Sequence, residues 1–157
     1  MQEEINYWVK KLGLIPHPEG GFYKETYRSE GEFSSGRNWV TSIYFLLTSE
    51  NCSRFHQIKS DELWFHHAGS TLIVHTIDQF GNYTANPVGN LIESNFEPYF
   101  LVPANTIFGS TVRDKNSFSL VSCVVSPGFN FDDFQLFERN ELLEKYPKHK
   151  DIITQLT

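Results

Sequence analysis

The chain has 157 residues, enough for one domain with a sizeable buried core, and a formal net charge of −6. That acidic balance leaves no basic face for nucleic acid, and no apolar run approaches a membrane span. Two cysteines make no disulfide framework, and Met1-Gln2-Glu3-Glu4 places acids where a signal peptide needs basic residues, so a reduced, cytoplasmic setting is expected.

Ile5, Trp8, Val9 and Leu12 fall at helical spacing, with Gly13 and Pro16 as the stop, and predict an amphipathic first helix. Its stripe should pack on the outside of a sheet or on a second subunit. Pro16 to Gly21 reads as a turn carrying His17 and Glu19. Phe22 to Arg28 alternates as a strand, with Tyr23, Glu25 and Tyr27 on one face. Both faces are mixed, which suits a polar cavity on one side and a partner on the other. Glu30 to Arg37 reads as a mobile loop. Trp39 to Leu47 predicts a strand covered on both sides.

The stretch from Ser53 to Gly69 reads as a hairpin whose turn is Lys59-Ser60-Asp61. Residues two apart in a strand share a face. If the register survives the turn, His56, Ile58, Glu62 and Trp64 point the same way, and His66 shares that parity. Thr71 to Ile77 is a further strand, closed by Asp78 to Asn82, in which His75 reads as a satisfied core or surface group. One short strand is expected between Asn82 and Pro98, and another over Tyr99 to Val102, before the turn Pro103-Ala104-Asn105. Ser117 to Val125 is the clearest strand, with Cys123 as a small core hydrophobe. Phe129, Phe131 and Phe134 follow as an aromatic plug. Asn140 reads as the N-cap of a helix ended by Pro147, and Ile152, Ile153 and Leu156 mark a last amphipathic turn. Many short strands between two terminal helices predict an all-β barrel or sandwich, and 14 phenylalanines suit a barrel filled by rings.

Glu62, six residues and then Gly69 resemble the second half of the first cupin motif, which reads HxH, three or four residues, E, six residues, G. His56 matches its first histidine, and Ile58 stands at the second. Val102 to Phe108 resembles the second cupin motif, with Asn105 at its glycine and Phe108 at its histidine. His17-Pro18-Glu19-Gly20-Gly21-Phe22-Tyr23, Glu25 to Ser29, Ser60-Asp61-Glu62 with Trp64, and Pro127 to Phe131 are similar to one subfamily of small single-domain cupins, the fifth cupin family, a domain of unknown function. The likeness runs from about Leu12 to about Phe137. It implies a single cupin domain over residues 1–157, folded as a jelly-roll barrel with short flanking helices, and brings His17 and Glu19 near the barrel mouth. Cupins use three histidines and the glutamate as metal ligands. Of those positions only His56 and Glu62 carry over, so no metal and no cofactor is expected.

Three functions fit these residues. The first is an epimerase- or isomerase-like enzyme doing metal-free acid/base chemistry on a sugar derivative or other small polar molecule. His56 would be the base, Glu62 would orient it, and Tyr27 would be the acid. The second is a binding module in which Trp64, Phe108 and Phe129 stack on a ligand, with His17, Glu19, His56 and Glu62 as polar contacts. The third is a metal-dependent cupin with a depleted ligand set. The expected partners are a small-molecule ligand and a second copy in a homodimer, with no nucleic acid and no membrane.

Overall fold

The computed structural model describes residues 1–90 and 96–157. Two antiparallel sheets face each other. The six-stranded sheet runs β1 (Ile15–Pro16), β2 (Phe22–Arg28), β3 (Thr41–Thr48), β10 (Phe118–Ser126), β5 (Asp61–Gly69) and β8 (Tyr99–Val102). The five-stranded sheet runs β11 (Gln135–Leu136), β4 (Cys52–Gln57), β9 (Ile107–Val112), β6 (Leu72–Ile77) and β7 (Tyr83–Val88). This is the jelly-roll barrel that the cupin likeness implies. The expected short strand after Asn82 is β7, whose Pro87 is tolerated because β7 is an edge strand. Residues 91–95 of that stretch lie outside the described residues. No helix among the described residues is long and apolar enough to cross a membrane.

Strand parity sorts the apolar side chains into layers. Phe45 and Leu47 of β3, Val121 and Cys123 of β10, and Leu72 and Val74 of β6 point inward and form the central core. The alternate residues of the first sheet, Leu46, Phe118 and Leu120, point outward and are covered by α1 (Gln2–Leu12). Ile5 is buried there at 4% exposure, which is worth roughly 1.5–3 kcal/mol. Glu3 and Glu4 in the first turn and Lys10 and Lys11 in the last complement the helix dipole, and Gly13 closes the helix at φ 68°. The stripe therefore covers its own sheet and is not free for a second subunit. The outer face of the other sheet is covered by α2 (Arg139–Lys145) and α3 (Lys150–Gln155), through Leu142, Ile153 and Leu156. The C-terminal helix starts two residues earlier than its sequence suggests. Glu138 is the N-cap and Asn140 lies inside the helix, making no cap.

The predicted hairpin across Lys59-Ser60-Asp61 does not form. β4 and β5 belong to different sheets, because β9 and β11 flank β4 while β10 and β8 flank β5. The turn is a crossover from one wall of the barrel to the other. That places His56 and Glu62 on opposite walls, facing across the interior. The loop from Glu30 to Arg37 is also tied down. Its Arg37 pairs with Asp133 and donates to the Gly128 carbonyl.

Candidate active site in the open end of the barrel

The barrel interior is divided along its axis. One end is filled by Trp64, Phe45 and Phe108, packed edge-on at centroid separations of 6.0 and 6.3 Å. The other end opens into a cavity of about 520 Å³. Its polar floor holds His17, Glu19, His56, Glu62 and Cys123. Its mouth carries Ile15, Ile43, Arg28, Phe129, Phe131 and Phe134.

Glu19 reaches the floor because its loop turns into the barrel. The Arg54 N–H donates to the Glu19 carbonyl, and Gly20 then passes against β4 at φ 116°, where a Cβ would meet the Cys52 carbonyl at 2.2 Å. Only glycine fits that approach. Oε2 of Glu19 lies 3.0 Å from Nδ1 of His56, both side chains under one-tenth exposed. The Nδ1–H points at the Arg54 carbonyl, 2.7 Å away, so the carboxylate sits off the donor axis as an ion contact. Burial works against the charge on each partner, yet the contact prevails. Glu19 is held below, and His56 above, the ordinary value. The contact with Glu19 thus favours the imidazolium form of His56, whose ring lies 4.1 Å from Phe108 and 5.2 Å from Phe134.

Glu62, on the far wall, behaves oppositely. Burial pushes its carboxyl up to about 7, with Glu19 adding to the rise and His56 opposing it. Cys123 lies beside it, and burial next to that carboxylate raises the thiol well above its usual range. The thiol therefore stays protonated and is no nucleophile. His17 is lowered mainly by burial, and its Nδ1 accepts from the Glu19 N–H, so it is neutral.

His17, Glu19, His56, Glu62 and Phe129 line the cavity together. Three other candidates do not. Tyr27 is 55% exposed, because a bulge between Glu25 and Tyr27 inserts Thr26 and flips the parity of β2. Arg28 takes the cavity position that alternation assigned to Tyr27. Trp64 and Phe108 share the inner face but lie deeper, as the packed bed beneath the site. His66 keeps its parity but lies beyond Trp64, bonded to the Ser70 carbonyl. Sequence reasoning missed the pairing of His56 with Glu19, and it missed Tyr23, which lines the cavity edge-on to His17 at 4.5 Å. Tyr23 and Glu25 shared the face assigned to Tyr27, so parity held the clue.

The cupin metal positions do not fit an ion here. Ile58 and Phe108 offer no lone pair, and Glu19 occupies the space beside His56 Nδ1. Among the described residues no three His, Cys, Asp or Glu side chains are placed to share a metal.

The same chain is similar to proteins of known structure or record. A structure of protein SO0799 from Shewanella oneidensis is 44% identical, with a TM-score of 0.92 over 97% of this chain and 96% of that one. A hypothetical protein from Leishmania major is 40% identical, with a TM-score of 0.90 over 97% of both chains. The uncharacterized protein YML079W of Saccharomyces cerevisiae is 28% identical over 92% of this chain and 78% of its own. A mutant of Bacillus subtilis oxalate decarboxylase is 15% identical with a TM-score of 0.59, covering 90% of this chain and 36% of that one, a likeness of fold alone. The family model described as Cupin superfamily (DUF985) matches residues 6–137. The chain belongs to that family of cupins.

Proposed function

We propose that the protein is an enzyme that moves a proton on a small polar molecule held in the open end of the barrel, without a metal. The observation that carries this reading is the opposition of two buried groups of unequal character. Glu19 favours the charged form of His56, while burial pushes Glu62 across the cavity up to about 7. A proton donor and a proton acceptor on facing walls are what an epimerisation or isomerisation needs, and a group with a pKa near the working pH transfers protons most effectively. His56 is then the acid and Glu62 the base. Glu19 positions His56 and holds its charge.

The test is a thermal-shift screen of sugars and organic acids, followed by proton NMR of each hit in heavy water. The reading expects solvent deuterium at a carbon of the ligand, lost in His56→Ala. A ligand that binds and never exchanges would instead favour a binding module, whose support is the phenylalanine-lined mouth.

Two further proposals concern the setting. We propose a cytoplasmic protein, and a homodimer joined through the free edge of β1, where Ile15 is 56% exposed. Light scattering that reports an 18.2 kDa particle at micromolar concentration contradicts the dimer.

A further inference from the structure

Two of the cations around the cavity already face carboxylates. Arg28 grips both oxygens of Glu25, at 2.7 and 3.0 Å, and donates onward to Asn38 Oδ1 and the Phe129 carbonyl. His56 faces Glu19 at 3.0 Å. Lys24, exposed on the cavity lining away from the floor, donates to the Leu12 carbonyl at the C-terminal end of α1, a neutral acceptor that leaves its charge unbalanced. His17 accepts a hydrogen bond through Nδ1 and carries no charge. Glu62, by contrast, faces the thiol of Cys123 on the floor. Among the described residues that line the cavity, the groups left to meet a ligand on the floor are therefore a carboxyl, a neutral imidazole and an imidazolium whose charge Glu19 balances.

The mouth has a different chemistry. Phe129, Phe131 and Phe134 meet edge to face at 4.9, 6.3 and 6.1 Å, and Ile15 and Ile43 line the cavity with them. Phe131 is 55% exposed and leaves apolar surface uncovered at the opening. Edge-to-face clusters of this kind take up aromatic rings and branched alkyl groups.

Resting on the proton-transfer site described above, we propose that the cavity selects molecules with an uncharged or cationic head, a hydroxyl or an amine, joined to an aromatic or branched apolar group. It rejects phosphorylated and other polyanionic compounds. A phosphate on the floor would find no unpaired cation and would sit against Glu62, and like charges juxtaposed in a buried site strongly disfavour a complex. A nucleotide-linked sugar falls outside this class, and an apolar glycoside or amino alcohol falls inside it.

Three probes that differ only in the head group test this: benzyl alcohol, benzylamine and benzyl phosphate, followed by saturation-transfer NMR with the intact protein. The alcohol and the amine are expected to bind about tenfold or more tightly than the phosphate, and to weaken about threefold or more in Phe129→Ala. Glu62→Gln should narrow the gap between phosphate and alcohol. Equal or tighter binding of the phosphate overturns the proposed class. If that binding is lost in His56→Ala, the proton-transfer site survives the loss of the class. Probes that bind without regard to His56→Ala and Phe129→Ala overturn both. No saturation of any probe at about 10 mM, near the weakest affinity the method detects, overturns the class as well.

Discussion

Two buried histidines on opposite sides of one sheet have opposite chemistry. His56 of β4 faces the barrel interior and His75 of β6 faces outward toward the C-terminal helices, at 3% and 7% exposure. His75 has a hydroxyl for each ring nitrogen, Tyr83 at 2.8 Å and Thr111 at 2.9 Å, and among the described residues no carboxylate beside it. Burial drives it down to about 4, so it stays neutral and structural. His56 has Glu19 beside it and is driven the other way. Burial alone thus says nothing about function; the neighbour decides whether a buried imidazole carries charge.

Substitutions can break this contrast. Glu19→Gln should have the largest effect, because it strands a buried imidazolium. A loss of about 3–5 kcal/mol in stability is expected, unless His56 gives up its proton, and proton transfer should then fall instead. Chemical denaturation at pH 6 and pH 8, with the exchange assay in parallel, separates the two outcomes. Glu62→Gln comes next. The folded chain holds the Glu62 proton up to about pH 7, whereas the ordinary carboxyl releases it near 4.5, so wild-type stability falls as pH rises between these values. The variant, which cannot ionise, should be more stable than wild type above pH 7 by roughly 3 kcal/mol. That advantage should vanish toward pH 4.5, as thermal melts across the range will read.

His75→Ala sharpens the comparison from the other side. It leaves the Tyr83 and Thr111 hydroxyls without their partner, at a cost of about 1–3 kcal/mol in stability. Ligand binding in the cavity should not change. Phe129→Ala should be milder still for folding, because Phe129 is only half-buried at the mouth, and its effect should appear in ligand affinity.

Much of this was legible before any coordinates. The spacing from Glu62 to Gly69 and the HPEGG segment pointed to the barrel and to the residues near its mouth, and inner and outer faces of β3 and β10 follow plain alternation. What alternation cannot carry is a bulge. One inserted residue at Thr26 sent Tyr27 outward, and a shift between Ser53 and His56 in β4 lets Ser53 and His56 share the barrel side while Phe55 packs under the C-terminal helices. Depth along the barrel was equally hidden. Trp64 and Phe108 have the right parity but occupy the filled end, and parity does not distinguish a floor from the bed beneath it. The pairing of His56 with Glu19 joins residues 37 positions apart in sequence through a glycine that only the folded chain shows to be indispensable.

The most direct measurement is a proton-NMR titration of the imidazole signals in wild type and in Glu19→Gln. The account predicts that His56 titrates above 6.5 in wild type and drops below it in the variant, while His75 titrates near 4 in both. A His56 midpoint at or below 6.5 in the wild type, or one indifferent to the loss of Glu19, would contradict the account.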